Sequence, residues 1–437
     1  MIKKPGKIEL LAPAGSIQKL KYALEYGADA VYAGCPDVSM RARVNNFSED
    51  DLAEAVKYVH AKKKKIFVTI NIYAHNYHLT KIEKHLKFLK KIDIDGVIVA
   101  DPGIIMLIKK HLPKVDIHLS TQANTTNWQA AKFWYDLGIT RIVLARETTL
   151  EDIVCIKKHV PKLELEYFVH GAMCMSYSGR CILSKWMSGK SANLGDCTQP
   201  CRWGYREKSK IQNPQSKMNP EMQIQDVSEY KTMEVAEVQS GRPILLEEDS
   251  HGTYFFNSKD LNLLLYLQEL RNAGVTSFKV EGRNKSVSYV ANVCRAYRKV
   301  LDAIESNVDD AAIKKIEKWS AKELAKNANR GYTEGFLHGN EPQHSFSGQQ
   351  NNTEFQFVGE IIEVNGNELI AKIHNVIKSG DKIELVDSEK NTTIIIKKIL
   401  NKDRGEVVSA HGGHDNFYYL QINKKNIKPF SLLRKIA

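Results

Sequence analysis

Short apolar segments alternate with longer amphipathic segments through most of this 437-residue chain. Eight of the apolar segments have the length and the β-branched content of strands. They are residues 8–13, 29–34, 65–72, 96–101, 116–122, 141–146, 163–171 and 276–282. Strands that are almost continuously apolar are typical of a parallel sheet covered by helices on both faces. The sequence therefore predicts an α/β fold, a (β/α)8 TIM-like barrel. An open doubly wound sheet is the alternative, disfavoured because no glycine fingerprint follows the first strand.

The segments between these strands carry the end signals of helices. Residues 48–62 begin with Ser48 in the N-cap position. Residues 127–138 close on Gly138, which suits a left-handed C-terminal cap. Further helices are predicted at 79–92, 255–274 and 286–306, the last of which completes the barrel.

Polar or charged side chains stand where several predicted strands end. They are Asn71, Asp101, Ser120, Gln122, Arg146, Glu147, His170, Glu281 and Arg283. In a barrel the carboxyl ends of all strands meet at one mouth, where active sites lie. Each residue alone could be a turn residue, but only Asn and Asp have strong turn preferences. The set as a whole therefore favours an active site at the mouth.

The chain is too long for one ordinary core, so two domains are expected. A Cys-rich insertion at about 172–250 follows the seventh strand directly and therefore lies at the barrel mouth. Near the C-terminus, apolar and polar residues alternate around Gly, Asn and Asp turns, which predicts a small antiparallel β-barrel. The predicted segments are 1–306 for the barrel domain, 307–352 for a linker with a helical extension, and 353–437 for the C-terminal β-barrel.

Four of the seven cysteines lie in one segment rich in Gly, Ser and Asn. They are Cys174, Cys181, Cys197 and Cys201. Four thiolates are the ligand set of a tetrahedral zinc site or of an iron–sulfur cluster. The first pair is spaced more widely than is usual for zinc, which weakens zinc without excluding it. Small buried apolar side chains are the other interpretation, disfavoured because the neighbouring residues are polar.

The remaining chemistry around this cluster is less specific. Cys155 and Cys294 lie in helical patterns and are predicted to be core residues. Arg180 lies beside the thiolates, where a cation offsets their charge or holds an anionic substrate. A single nucleophilic cysteine paired with His170 would be a protease-like alternative, but the spacing distinguishes no one thiol.

The formal charge of +12 suits a polyanionic partner such as RNA, although a generally Lys-rich proteome produces the same balance. The sequence contains no run of about 18 apolar residues, so no membrane span is predicted. The N-terminal residues resemble a first strand rather than a signal peptide. We therefore expect a cytoplasmic protein, in which clustered cysteines indicate metal or redox chemistry rather than disulfides.

The block at 166–184, EYFVHGAMCMSYSGRCILS, resembles the signature of the peptidase U32 family. Other blocks resemble recurrent segments of the same family. They are LLAPAGS at 10–16, ADPG at 100–103, STQANTTN at 120–127, LARE at 144–147, KVEGR at 279–283 and GYTEGFL at 331–337. The resemblance covers nearly the whole chain, and within the family it is strongest to the tRNA 5-hydroxyuridine modification proteins.

The resemblance implies oxygen-independent, prephenate-dependent hydroxylation of the wobble uridine, U34, of tRNA. It also implies a [4Fe–4S] cluster on the four clustered cysteines, with zinc as the alternative. Cations are needed for the carboxylates of prephenate, and we expect Arg146, Arg283 and Arg180 to bind substrate. Asp101, Glu147 and Glu281 are predicted to transfer protons. These six residues are candidates because of their place at the mouth or beside the cluster, and none has a motif of its own.

In the C-terminal domain, Lys397, Lys398 and Arg404 are candidates for contacts with tRNA phosphates, against the simpler interpretation of solvated strand edges. Two alternative functions accompany the resemblance. The first is a U32 peptidase of the collagenase-like kind, although the sequence contains no hydrolytic signature. The second is hydroxylation of a cytidine in ribosomal RNA.

Overall fold

The computed structural model describes residues 8–34, 39, 47–174, 183–188, 198, 200–202, 205–207, 231–237, 243–249, 252–253, 259–339, 353–366, 368–413, 417–424 and 426–436. Every structural statement below concerns these residues. Cys181, Cys197 and Arg180 lie outside them.

The first part of the chain alternates strands and helices, as predicted. Its strands are β1 (Glu9–Ala14), β2 (Ala30–Gly34), β3 (Lys65–Ile70), β4 (Gly96–Val99), β5 (Asp116–Leu119), β6 (Arg141–Val143) and β7 (Glu164–Ala172). Its helices are α1 (Ile17–Glu25), α2 (Glu49–Ala61), α3 (Asn76–Ile92), α4 (Pro102–His111), α5 (Trp128–Asp136) and α6 (Leu150–His159). Each strand pairs in parallel with the next.

Local sequence signals account for where these helices begin. Ser48 caps α2, and Asp51 reciprocates by accepting a hydrogen bond from the Ser48 amide. Thr149 and Asp152 form the same reciprocal pair at α6. At the other end of α5, Gly138 adopts a φ of 81°, which confirms its predicted role as a helix terminator.

The described part of the insertion after β7 contains a short helix and an antiparallel sheet. The helix is α7 (Leu183–Ser188), and the strands are β8 (Tyr205–Glu207), β9 (Lys231–Glu237), β10 (Pro243–Asp249) and β11 (Gly252–Thr253). They are ordered β11-β10-β9-β8 in the sheet.

The barrel is completed by elements that return from the insertion. They are β12 (Asp260–Asn262), α8 (Leu267–Ala273), β13 (Val275–Val280), α9 (Val287–Glu305), α10 (Asp310–Ala325) and β14 (Tyr332–Thr333). Strand β13 pairs in parallel with both β1 and β7 and closes the eight-stranded barrel. The predicted TIM-like fold is therefore confirmed.

The predicted helix at 255–274 is wrong over Asp260–Tyr266, and residues 255–258 lie outside the described residues. Strand β12 pairs antiparallel with the end of β7, and a 3₁₀ turn at Leu264–Tyr266 precedes the short helix α8. The reason lies in β7, which extends beyond the barrel wall to Ala172 and offers backbone groups that β12 satisfies. Gly274, with a φ of 104°, then ends α8 as the helix pattern predicted.

The C-terminal domain is a closed antiparallel barrel, which confirms the second part of the fold prediction. Its strands are β15 (Phe355–Asn365), β16 (Glu368–Ile373), β17 (Ile377–Lys378), β18 (Lys382–Val386), β19 (Asn391–Leu400), β20 (Glu406–Val407), β21 (Ser409–Ala410), β22 (Phe417–Ile422) and β23 (Leu432–Ile436). Six of them follow the order β18-β23-β15-β16-β22-β19, and β18 pairs with β19 to close the ring. Most of its buried hydrophobic residues form a core of their own, while Val386 and Leu432 pack into the core of the larger barrel.

Buried charges join the two domains along α1, α9 and α10. Glu323 of α10 accepts hydrogen bonds from Arg295 of α9 at 2.7 Å and from Arg434 of β23 at 3.0 Å. The Tyr26 hydroxyl, just after α1, donates to the Val386 carbonyl at 2.7 Å. Because the charged groups are buried and paired, the C-terminal barrel is fixed against the side of the larger barrel.

Candidate functional site at the barrel mouth

Arg283 is held at the mouth by hydroxyl groups of two neighbouring strand ends. Its Nη1 donates to Ser39 Oγ at 2.8 Å and to Thr69 Oγ1 at 3.1 Å. These two hydroxyls are themselves 2.7 Å apart. Gly34 makes room for this arrangement, since a Cβ there would lie 2.5 Å from Arg283 Nη1 and from Ser39 Oγ. The guanidinium of Arg283 is therefore oriented before any ligand binds.

Arg146 and Glu147 follow β6 at the same mouth. The guanidinium carbon of Arg146 lies 4.0 Å from the centre of the Phe168 ring, a cation–π contact that orients the side chain. Glu147 has a buried Oε2 with no hydrogen-bond partner among the described residues. The structure thus brings two of the predicted cations, Arg146 and Arg283, and one predicted carboxylate to the mouth.

Glu281 lies where β7 and β13 approach most closely. Its backbone amide donates to the His170 carbonyl at 2.8 Å, and the residue is buried. Gly171 permits this approach, because it has a φ of 115° and a Cβ there would lie 2.7 Å from the Glu281 carbonyl oxygen. The His–Gly step of the signature block is therefore a packing requirement at the mouth.

His170 is enclosed rather than presented to a substrate. Its Nδ1 lies 3.2 Å from the Tyr297 hydroxyl, and Tyr289 and Tyr332 also pack against the ring. Burial lowers the pKa of His170 to about 4. A neutral imidazole behind three tyrosines positions the end of β7, which disfavours the cysteine–histidine protease interpretation.

Asp101 has a structural explanation of its own. Its Oδ1 accepts from the amides of Gly103 at 2.8 Å and Ile104 at 3.2 Å, so Asp101 is the N-cap of α4. Proton transfer by Asp101 stays a prediction, as do the predicted roles of Glu147 and Glu281.

A row of buried charges inside the barrel was missed by the sequence analysis. Glu9 and Arg141 begin their strands and pair at 2.5 Å, and Arg141 also lies 3.3 Å from Glu166. Glu166 in turn accepts from Lys279 Nζ at 2.5 Å. Lys279 lies over Tyr32, 4.5 Å from the ring centre. The signal was present as charged residues at inward positions of otherwise apolar strands.

The polar residues after β5 form the remaining wall of the mouth. The Ser120 hydroxyl donates to Gln122 Oε1 at 3.1 Å, and the Tyr73 hydroxyl donates to the Gln122 carbonyl at 3.3 Å. Gln122 Nε2 and Thr125 Oγ1 are buried without a hydrogen-bond partner in the described part of the chain. Buried polar atoms in this state point to a partner that binds from outside.

Two of the four clustered cysteines are described. Cys174 is exposed directly beyond β7, and Cys201 is half-buried in the turn Pro200–Arg202. Cys174 is a free thiol. Within the described ranges no group of three or more His, Cys, Asp or Glu residues could hold a metal, but the other two cysteines lie outside those ranges.

The two cysteines that were predicted to be core residues have different outcomes. Cys294 is fully buried in α9, which confirms it as a core residue. The prediction for Cys155 is wrong, because its thiol is half-buried on the outer side of α6, whose inward residues are Ile153 and Ile156.

Two of the three predicted phosphate contacts of the C-terminal barrel, Arg404 and Lys398, pair with carboxylates within the domain. Arg404 pairs with Glu368 at 2.6 Å and stacks on Tyr419, with its guanidinium carbon 3.6 Å from the ring centre. Lys398 pairs with Glu406 at 2.8 Å. Their contact with RNA stays a prediction.

Fold and site together define a TIM-like barrel protein with a polar mouth and an appended β-barrel. The sequence model of peptidase family U32 matches residues 15–347, and that of the family's C-terminal domain matches residues 353–434. The chain therefore belongs to peptidase family U32.

Two tRNA hydroxylation proteins are similar to this chain over nearly its full length. The chain is 38% identical to tRNA hydroxylation protein P of Haemophilus influenzae, over 98% of this chain and 96% of that protein. It is 37% identical to tRNA hydroxylation protein P of Escherichia coli, over 98% and 97%. The 23S rRNA 5-hydroxycytidine C2501 synthase of E. coli is 32% identical over 87% of this chain and 52% of that protein. The solved U32 peptidase Mk0906 is 15% identical, covers 39% of this chain and 72% of that one, and has a TM-score of 0.34.

Within the described ranges, no helix combines the length and the apolar character needed to cross a membrane.

Proposed function

We propose that this chain is a tRNA-modifying enzyme that hydroxylates the wobble uridine, U34, to 5-hydroxyuridine in the cytoplasm. The observation that carries the proposal is the similarity to two tRNA hydroxylation proteins over 98% of the chain. That span includes the barrel, the insertion and the C-terminal barrel. The polar mouth is the part of this fold where such chemistry is expected to occur.

Replacing the C5–H bond of uracil by C5–OH is a two-electron oxidation, so the reaction needs an electron acceptor and a donor of the hydroxyl oxygen in addition to the residues of this chain. We infer a [4Fe–4S] cluster held by Cys174, Cys181, Cys197 and Cys201, with zinc as the alternative. The described residues fit this donor set, since Cys174 is a free thiol exposed at the end of β7 and Cys201 is half-buried in the turn Pro200–Arg202. When bound, the cluster would supply electron transfer.

We further infer that prephenate, a dicarboxylate, binds at the mouth. Arg146 and Arg283 support this inference as two cations fixed by Phe168 and by the Ser39 and Thr69 hydroxyls. Guanidinium groups oriented in advance bind carboxylates with less loss of side-chain entropy. Arg180 would add a third cation from the insertion.

Glu147 and Glu281 are the carboxylates that we propose for proton transfer at the mouth. The partnerless Oε2 of Glu147 is the stronger support, because a carboxylate oxygen buried in this way is available to a substrate proton. Asp101 is the weaker candidate, since capping α4 already occupies its Oδ1.

The peptidase alternative finds little support in the described residues. Cys155 Sγ does lie 3.7 Å from His159 Nδ1, but this pair is on the outer helix α6, and the same nitrogen lies 2.8 Å from the Cys155 carbonyl. Hydroxylation of a cytidine in ribosomal RNA is favoured by the similarity to the 23S rRNA synthase. That similarity spans only about half of the synthase, so we propose tRNA rather than ribosomal RNA as the substrate.

Nucleoside analysis of tRNA and rRNA from cells lacking this gene tests the proposal. We expect 5-hydroxyuridine to disappear from tRNA and to return with the wild-type gene or with Cys155→Ala, the matched control. Cys174→Ala should not restore it. Unchanged tRNA together with lost 5-hydroxycytidine in rRNA would refute the proposal. Anaerobically purified protein should carry about four iron atoms per chain, and a single zinc would refute the cluster.

A further inference from the structure

Gln122 is a buried amide whose oxygen has a hydrogen-bond partner and whose nitrogen has none among the described residues. It lies in the 3₁₀ turn Thr121–Ala123 immediately after β5, and only 2% of its surface is exposed. The Ser120 hydroxyl occupies Oε1, and the Tyr73 hydroxyl holds the backbone carbonyl. The two N–H donors on Nε2 have no hydrogen-bond partner among the described residues.

The turn itself is anchored, so the amide cannot easily move to another partner. The Thr121 hydroxyl donates to the Leu144 carbonyl at 3.2 Å, which ties the turn to the end of β6. Ala145 N donates to the Thr125 carbonyl at 3.3 Å, which ties the same loop to the segment that carries Glu147. A buried donor in a rigid loop costs free energy unless a bound molecule supplies an acceptor.

The surrounding groups distinguish between possible acceptors. A carboxylate ligand suits the cations Arg146 and Arg283 better than it suits a neutral amide. A neutral carbonyl matches a neutral amide donor. The partnerless oxygens of Asn124 and Glu147 add acceptors on the same pair of loops. On the uracil edge, O4 accepts a hydrogen bond, which the Gln122 donor can supply, and N3–H donates one, which a partnerless oxygen can accept.

We propose that the Gln122 amide recognises O4 of the target pyrimidine and so selects uridine over cytidine. The proposal rests on the proposed function, since it names the residue by which the same site reads its base. Cytosine presents an amino donor in place of O4, which would meet the donors of Nε2 and leave both groups unsatisfied. Discrimination between uridine and cytidine therefore follows from the one hydrogen bond between Gln122 and the group at C4 of the base.

The test measures hydroxylation of two anticodon stem–loops that differ only in U or C at the target position, with the anaerobically purified full-length protein. Gln122→Glu keeps the shape of the side chain and replaces the donor by an acceptor. We expect kcat/KM on the uridine substrate to fall about 10- to 100-fold and the preference to shift toward cytidine. Gln129→Glu, the same change on the exposed face of α5, should leave both rates unchanged.

A second variant protects the test against misfolding. Gln122→Met is neutral and similar in shape, and it should lose uridine activity without gaining cytidine activity. An unchanged uridine-to-cytidine ratio in both Gln122 variants, with an active wild-type protein, would overturn the role of Gln122 and leave the proposed function intact. A raised KM for the dicarboxylate with unchanged base selection would assign the amide to that ligand instead and also overturn it. A wild-type protein that hydroxylates neither stem–loop would refute the proposed function, and the proposal with it.

Discussion

Glu166→Gln removes one negative charge from the centre of the barrel. The Glu166 side chain is fully buried and contacts Lys279 Nζ at 2.5 Å and Arg141 Nη1 at 3.3 Å. Arg141 keeps its contacts with Glu9 and Glu164 in the variant. Among the described residues, Glu166 is the only carboxylate paired with Lys279. Breaking a buried pair in this way should lower the free energy of unfolding by about 3–5 kcal/mol at pH 7.

The loss should depend on pH in a direction that the structure determines. Burial lowers the pKa of Lys279 below its ordinary value of 10.5, and Glu166 opposes this shift. Removing the charge of Glu166 therefore lowers the pKa of Lys279 further. Between that lowered pKa and 10.5 the unfolded chain binds more protons than the folded one, so stability rises with pH. The difference between variant and wild type should shrink from pH 7 to pH 10.

Urea unfolding followed by tryptophan fluorescence at pH 7 and pH 10 measures both effects. Lys279→Met supplies the matched partner, because the double variant Glu166→Gln/Lys279→Met has no buried unpaired ammonium. We expect the double variant to recover much of the loss, with a coupling energy of about 2–3 kcal/mol. Simple addition of the two single losses, or a loss that is the same at both pH values, would refute this account of the barrel interior.

Three further changes test the mouth and the domain junction. Gly171→Ala should cost about 1–3 kcal/mol by thermal unfolding, because its Cβ would press on the Glu281 carbonyl at a φ of 115°; an unchanged melting temperature would contradict the packing role. Glu323→Gln leaves Arg295 and Arg434 without their shared carboxylate, so proteolysis should release the C-terminal barrel faster; equal cleavage rates would contradict this. Arg283→Lys keeps the charge but loses the planar guanidinium that the Ser39 and Thr69 hydroxyls orient. The KM for the dicarboxylate should therefore rise about 10-fold with folding intact. An unchanged KM would show that Arg283 does not bind the dicarboxylate.

The barrel was predictable because continuous apolar segments of the sequence indicate its strands. Residues 8–13 and 29–34 differ by one residue at most at either end from β1 and β2. Strand β12 was not predictable, because its pairing depends on how far β7 extends beyond the barrel wall, a tertiary property. The helical pattern alone also misplaced Cys155, since a small side chain marks neither the inner nor the outer face of α6.

The site was predictable as a location more than as a set of roles. Placing polar residues at strand ends correctly brought Arg146, Glu147 and Arg283 to one mouth. It could not show that Asp101 caps a helix, because an Asp before a Pro-led helix has the same sequence signature in either role. It also missed Lys279, because a charged residue within a strand pattern resembles an exposed position until the barrel closes around it.

The buried charges in the barrel interior are paired, whereas two polar side chains at the mouth bury atoms without described partners. The buried charges that rise from the bottom, from Glu9 to Lys279, all have partners at hydrogen-bonding distance. At the mouth, Gln122 and Glu147 bury polar atoms that lack partners among the described residues. A fold retains such unfavourable burial where a ligand completes the hydrogen bonds, because binding then returns the free energy lost on folding. Substitutions in the charge row should therefore lower stability first, whereas substitutions at Gln122 and Glu147 should lower activity first and leave the unfolding free energy unchanged or raised.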